Sequence, residues 1–383
     1  MPVDRALPTD EARALLELTR ELADGELRPR VTEFERRAEF PREVFGTLGK
    51  AGLLGLPYPE EYGGGGQPYE VYLQVIEELA AAWLAVGLGV SVHTLSCYPV
   101  AAFGTAEQRD RLLPEALGGD LLGAYCLSEP QSGSDAAAMT TRAVADGDEY
   151  VLDGVKAWVT HGGHADFYAV FARTAPGAGG ISCFLTPAGT PGLQPQRPER
   201  KMGMSSSPTA QIVLDGARVP AGRRVGAEGD GYRIALSALD GGRLGIAACA
   251  VGVAQAALDY AVRYARERRQ FGRPIVEFQG LSFLLADMAT QVEAARALYL
   301  SAARRRDAGA AGRTEAAMAK LFCTDAAMRV TTDAVQVLGG YGYVQDHPVE
   351  RWMREAKVLQ IVEGTNQVQR MVIGRALGGA PAR

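Results

Sequence analysis

This chain has no paired cysteines, no nucleotide-cradling glycine fingerprint and no excess of basic charge. Its five cysteines, Cys97, Cys126, Cys183, Cys249 and Cys323, are odd in number, widely spaced and form no CxxC pair. That pattern argues against a disulfide framework and against a cysteine-held zinc site, and fits reduced core cysteines in a cytoplasmic protein. Neither GxGxxG nor a P-loop occurs. The glycines of "GAEGDGY" (226–232) have the wrong spacing, so a dinucleotide would have to be held in another way. A formal net charge of −5 offers no field for nucleic acid or anionic lipid. The opening "MPVDRALPTDE" has no basic stretch leading into an apolar one, so no signal peptide is expected. The apolar stretch 79–95 contains Gly87, Gly89 and His93, and reads as a buried helix rather than a membrane span. "HGGH" places His161 and His164 around two glycines with no third ligand nearby, a loop rather than a metal site.

With 383 residues, 47% hydrophobic and 22% charged, the chain suffices for two or three domains with a large core. Thr9 is a candidate cap for a helix carrying Leu15, Leu16, Leu18 and Leu22 at helical spacing. The loop 55–68 follows, and "YEVYLQVIEELAAAWLAVGLG" then reads as one largely buried helix. From about 122 to 230 the pattern changes to short strands. "YVLDGVKAWVT" suggests an Asp-Gly turn followed by alternation, with Val155, Ala157 and Val159 on one face and Lys156, Trp158 and Thr160 on the other. "DFYAVFART", "GISCFLTP" and "QIVLDGARVP" are further strands. Long amphipathic helices are expected around 243–270, 279–308 and 314–338, then a helix at "DHPVERW" capped by Asp346 and another over 366–376. Helical, then β, then helical order is unlike the alternation of a doubly wound sheet.

Several strings are candidates for chemistry. "AYCLSEPQSGSD" (124–135) runs from a strand into a Ser/Gly-rich loop, which reads either as a surface turn or as a ligand loop with close backbone approach. Trp158 beside Thr160 is either core packing or a wall for a flat ring system. In "RERRQFG", Arg268 and Gln270 either end a solvated helix or meet a pyrophosphate. In "DGGR", Asp240 and Arg243 sit in a helix-entry loop or recognise a polar ligand tail. Glu363 stands between the aliphatic pair Ile361 and Val362 and the helix-breaking Gly364-Thr365. Apolar neighbours would raise its pKa, and a following helix N-terminus would favour its ionised form.

Taken together, "AYCLSEPQSGSD", "KAWVTHGG", "KMGMSSSPT", "RERRQFGRPIVEFQ", "VQVLGGYGY" and "VEGTNQVQR" resemble the acyl-CoA dehydrogenase family along essentially the whole chain. The resemblance implies an α+β, mainly α fold: an N-terminal helical domain over 1–121, a middle β-barrel-like domain over 122–230, and a C-terminal four-helix bundle over 231–383. It implies FAD held by the segment Tyr125 to Ser134 (with Leu127, Ser128 and Gly133), by Trp158 and Thr160, and by Thr365 and Gln367. Arg268, Gln270, Gln279 and the segment Gln336 to Gly340, including Gly339, would reach FAD across a subunit interface. Asp240, Arg243, Ser134, Gly364 and Arg375 would bind acyl-CoA, and Glu363 would be the catalytic base, with no metal.

The implied reaction removes the α-proton while FAD takes the β-hydride, the thioester oxygen resting on the Glu363 N–H and a flavin ribose hydroxyl. A homotetramer (dimer of dimers) passing electrons to an electron-transfer flavoprotein is implied, with no nucleic-acid or membrane partner. An oxygen-using oxidase of the same fold and a non-catalytic acyl-CoA-binding paralogue are the alternatives. The sequence departs from the family at Ser128, where Thr is common, and at His161, where Asn is common. Relatives such as isovaleryl- and long-chain-type enzymes carry the base where this chain has Gly242. Glutaryl-type relatives carry an arginine near Leu84. The first point implies the short/medium-chain or short-branched arrangement, and the second disfavours a dicarboxylic substrate; "LDGGR", "GGISCF" and "GYGYVQDHPVER" resemble isobutyryl- and short-branched-chain enzymes.

Overall fold

A computed structural model describes residues 3, 5–310 and 312–378. Six helices come first: α1 (Asp10–Leu22), α2 (Val31–Arg37), α3 (Arg42–Lys50), α4 (Tyr69–Ala82), α5 (Leu84–Phe103) and α6 (Ala106–Leu117). The Thr9 hydroxyl caps α1 by accepting from the Ala12 N–H, and Thr105 with Gln108 closes a capping box on α6.

The single helix expected over 69–89 is two. Trp83 leaves helical geometry (φ −155°, ψ 102°) because its indole Nε1 donates to Glu35 Oε1 at 3.0 Å and to Ser206 Oγ at 3.2 Å. This polar anchorage lies outside the helix, and sequence periodicity does not register it.

The strands are β1 (Gly123–Cys126), β2 (Arg142–Asp146), β3 (Glu149–Thr160), β4 (Phe167–Arg173), β5 (Ile181–Pro187), β6 (Leu193–Pro195), β7 (Thr209–Pro220) and β8 (Arg224–Val225). They form one mixed sheet in the order β6-β7-β3-β2-β4-β5-β8, with β1 parallel to β4. Asp153-Gly154 is not a hairpin turn but an irregularity inside β3, and the β2–β3 turn lies at 146–149. Gly154 is required there: φ is +150°, and a Cβ would stand 2.5 Å from Thr141 Oγ1. A second register shift between Lys156 and Val159 breaks the expected alternation. Lys156 is fully buried, while Trp158 takes φ +61° and is 62% exposed.

The C-terminal part holds α7 (Gly231–Glu267), a small hairpin β9 (Arg269–Gln270) and β10 (Arg273–Pro274), then α8 (Gln279–Asp307), α9 (Arg313–Leu338), α10 (Val349–Leu359) and α11 (Asn366–Leu377). Asp240-Gly241-Gly242-Arg243 therefore lies within α7 rather than in an entry loop. Asp346 is not the cap of α10, which starts at Val349 after Pro348. One apolar core joins α4 and α5 to α7, α8 and α9. By length and composition α5 and α7 could cross a membrane, but 89% and 72% of their apolar windows are buried within the protein.

All three regions meet around Glu355 of α10. Its buried side chain passes close to Gly203, where an added Cβ would lie 3.0 Å from Glu355 Cγ. Burial, reinforced by nearby Glu35, pushes Glu355 up to about 8 against the pull of Arg351 and Arg354. Its folded pKa exceeds the ordinary carboxylate value, so the folded state binds the extra proton. The associated stability is complete below the ordinary value and is lost as pH rises through about 8. Glu355→Gln is expected to flatten this dependence. Its urea midpoint should exceed wild type at about pH 9 and approach it at about pH 5. Parallel midpoints across that range would refute the linkage.

Candidate active site

The turn between α10 and α11 carries Glu363 at φ +53°, followed by Gly364 at φ +89°. A non-glycine residue in this left-handed region is held there at a cost of about 1–2 kcal/mol, so surrounding structure must impose it. Gly364 is fixed by this backbone and by Gln369, whose Nε2 would lie 2.7 Å from an added Cβ. The Thr365 hydroxyl accepts from the Val368 N–H at 3.3 Å and caps α11. Lys320 of α9 donates to Gly364 O and to Asn366 Oδ1, both at 2.9 Å. Gln369 Nε2 donates to Gly364 O at 2.8 Å and to Glu363 O at 3.3 Å.

The Glu363 side chain points across to α7. A Cβ on Gly242 would fall 2.0 Å from Glu363 Oε2, so the missing side chain at 242 makes room for the carboxylate. Both carboxylate oxygens are buried and accept no hydrogen bond among the described residues. Burial pushes Glu363 up to about 7, opposed by the positive charges of Lys320 and Arg243. Ile361 does not help to dry it, because that side chain is 53% exposed. Val362 does pack against the helical core. Arg243 is buried and pairs with Asp240 at 2.8 Å, while Arg313 approaches the other Asp240 oxygen at 3.4 Å.

Beside Gly242 opens a cavity of about 420 Å³ lined by Tyr58, Tyr69, Thr94, Leu95 and Tyr98. Tyr69 is pushed up to about 12 by burial, with the Glu363 charge adding to the shift. Tyr125 of β1 is raised chiefly by burial, with Cys183 and then Glu363 adding to the shift.

The loop after β1 is tied to β3. The Ala157 N–H donates to Ser128 O at 2.8 Å, which sets Ser128 beside the exposed Trp158. Beneath them lies an ion pair that sequence reading missed: Lys156 Nζ meets Glu129 Oε1 at 2.8 Å and Leu127 O at 3.0 Å, with both side chains buried. Glu129 also accepts from the Thr140 and Thr141 N–H groups. A lysine within a strand otherwise rich in apolar residues was the available signal. Leu127 is buried, Gly133 has open space where a Cβ would stand, and Ser134 and Thr160 are at least partly exposed. An exposed indole beside an open, rigidly held backbone loop suits a flat ring system with a polar tail, so these residues fit FAD.

His161 lies elsewhere than at that surface. Its ring is enclosed by Phe40 and Phe45, its Nδ1 bonds Gly123 O at 3.0 Å, and burial lowers it to about 4.

Arg268 caps α7, Gln270 is exposed in β9, Gln279 opens α8, and Gln336 lies in the last turn of α9 ahead of Gly339 and Gly340. The Arg268 guanidinium lies 5.6 Å from the Tyr341 ring centre, so these two segments share one surface. Gln367 is an exposed residue of the first turn of α11, and Arg375 is exposed in its last turn.

Three domain models match in chain order: "Acyl-CoA dehydrogenase, N-terminal domain" at 9–120, "middle domain" at 124–217 and "C-terminal domain" at 229–378. A protein named acyl-CoA dehydrogenase from Bacillus subtilis is 46% identical over 374 residues, 97% of this chain and 99% of that protein. The solved butyryl-CoA dehydrogenase of Megasphaera elsdenii superposes with a TM-score of 0.95 at 43% identity, covering 98% of this chain and 100% of that one. A chain from structural work on the electron transferring flavoprotein of Acidaminococcus fermentans and flavin-based electron bifurcation gives 0.95 at 44% identity. It covers 98% of this chain and 99% of that one.

Proposed function

We propose a function that proceeds from one premise: this chain belongs to the acyl-CoA dehydrogenase family and is an FAD-dependent oxidoreductase. Its reaction is the α,β-dehydrogenation of a short- to medium-chain acyl-CoA, straight or branched, to the trans-2-enoyl-CoA. Glu363 is the base. The observation carrying this reading is a buried carboxylate that accepts no hydrogen bond among the described residues, raised toward neutrality and seated in the space left by Gly242.

Bound FAD supplies the acceptor for the β-hydride. The chain's own residues do the rest. Glu363 takes the α-proton, and the C–H electron pair becomes the new double bond as the hydride leaves. The Glu363 N–H makes no hydrogen bond among the described residues, so it is available to the charge developing on the thioester oxygen. Asp240 and Arg243 hold the polar part of the acyl-CoA, with Ser134, Gly364 and Arg375 contributing. Tyr125, Leu127, Ser128, Gly133, Ser134, Trp158, Thr160, Thr365 and Gln367 hold FAD within the subunit.

A short acyl chain is supported by the tyrosine-lined cavity and by the similarity to a butyryl-CoA dehydrogenase. Contact of Arg268, Gln270, Gln279, Gln336, Gly339 and Gly340 with FAD of another subunit, in a homotetramer, is part of the same proposal. Phe271 and Tyr343 beside them are 93% and 88% exposed, which suits a covered surface. An electron-transfer flavoprotein as acceptor is supported by the similarity to the Acidaminococcus chain. A cytoplasmic location is supported by five buried, unpaired cysteines.

The test is anaerobic titration of the purified flavoprotein with butyryl-, isobutyryl-, octanoyl- and palmitoyl-CoA. Flavin absorbance should bleach with the first two and much less with palmitoyl-CoA. Absence of bleaching with the whole panel would defeat the proposal, and stoichiometric peroxide in air would mark an oxidase.

A further inference from the structure

The turn carrying Glu363 combines two left-handed residues with a carboxylate that accepts no hydrogen bond among the described residues, so its geometry and charge must be set by other groups. The groups nearest the turn come chiefly from α9. Lys320, fully buried, donates to Gly364 O and Asn366 Oδ1 at 2.9 Å each. Asn366 Nδ2 in turn donates to Thr324 Oγ1 at 2.9 Å and Asp325 Oδ1 at 2.7 Å, and Gln360 Nε2 reaches the same Asp325 oxygen at 2.6 Å. Both ends of the turn are thereby tied to one helix. Two cations join this network: Arg370 pairs with Asp325 Oδ2 at 3.1 Å, and Lys320 forms no ion pair with Glu363 among the described residues. Its anchors are a carbonyl and an amide oxygen, and its charge acts on the base through space.

We propose that Lys320 is a positioning residue for the base: it holds the Glu363-Gly364 turn through the Gly364 carbonyl and supplies the positive field that favours the Glu363 carboxylate near neutral pH. The inference rests on the reading of Glu363 as the base. The groups facing Glu363 are Lys320 from α9, Arg243 and Cys249 from α7, Tyr69 from α4 and Tyr125 from β1, and Arg243 and Asp325 face Lys320. Burial lowers Lys320 to about 7, with the Glu363 charge opposing that shift, so its protonation and that of the base are linked.

The sign follows from this arrangement. Removing a positive charge raises the pKa of a neighbouring carboxylate, so a Lys320→Met holoenzyme needs a higher pH to ionise its base. The acid limb of kcat/KM should move up by about one pH unit, a roughly tenfold loss below the limb that alkaline pH recovers. Thr324→Val loosens the Asn366 anchor while keeping the charge. It should lower kcat with the limb unmoved. Lys320→Gln retains an amide donor without the charge, and gives the same readout if the methionine variant does not fold. Infrared titration of the protonated carboxyl band provides a measure independent of turnover. The Glu363 component of the band should vanish in Glu363→Gln, leaving that of Glu355, and should titrate higher in Lys320→Met.

A limb and band unmoved in both Lys320 variants would overturn the proposal, whatever the loss in kcat. Failure of the underlying reading looks different, because Glu363→Gln would then keep both its activity and its acid limb.

Discussion

Glu363→Gln is expected to fold, bind FAD and lose acyl-CoA oxidation by about 10²–10⁴-fold, the usual worth of a positioned general base. The substitution conserves shape. The carboxylate oxygens accept no hydrogen bond among the described residues, and the turn is held through backbone carbonyls by Lys320 and Gln369. Little structural support is therefore removed along with the charge. In the wild-type enzyme activity should rise with pH through about 7, because only the ionised carboxylate accepts a proton and burial has raised its pKa to that range. Measuring kcat/KM against pH for both proteins checks the two statements together. A variant that still reduces its flavin at the wild-type rate would remove Glu363 from the chemistry.

The second large effect concerns stability. Glu77 of α4 is 1% exposed. It accepts from Arg5 at 2.9 Å, from Arg296 Nη2 at 3.0 Å and from the Tyr299 hydroxyl at 2.5 Å. Burial opposes its ionisation, but Arg5 and Arg296 prevail and hold it down to about 2. Glu77→Gln removes the anion shared by two buried guanidinium groups, leaving Arg5 with Glu78 at 3.0 Å and Arg296 with Glu293 at 2.6 Å, a cost of about 3 kcal/mol. The denaturant midpoint at neutral pH should fall accordingly. A depressed carboxylate contributes stability above its ordinary value and loses it as pH falls through its folded value. The gap between wild type and variant should therefore narrow from about pH 4.5 toward about pH 2. Equal midpoints at pH 7 would show that the ion cluster adds nothing to stability.

Much of the proposed site was legible as a candidate in the chain because its parts are local strings. The Ser/Gly loop after β1, the Trp158–Thr160 pair and the Glu-Gly-Thr turn each lie within a few residues, and the left-handed turn shows itself in the glycine that follows the glutamate. Errors arose where neighbours in sequence are not neighbours in space. Ile361 adjoins Glu363 in the chain yet faces outward, and Trp158 departs from strand alternation because β3 shifts register beside it. Asp240 and Arg243, taken as a loop, belong to a helix that starts nine residues before Asp240, because glycines 241 and 242 are tolerated where α4 and the Glu363 carboxylate press against that face.

The sequence by itself determined the order helix–sheet–helix, the lack of a CxxC pair and the short strings that carry the family resemblance. Periodicity, turn chemistry and short motifs all act within a few residues. Only the tertiary structure decided that Gly242 makes room for Glu363, that Lys320 anchors the Gly364 carbonyl, and that Lys156 meets Glu129 beneath Trp158. Those pairings join distant segments. Their energies depend on distance and on exclusion of water, quantities that exist only once the helices and the sheet have packed.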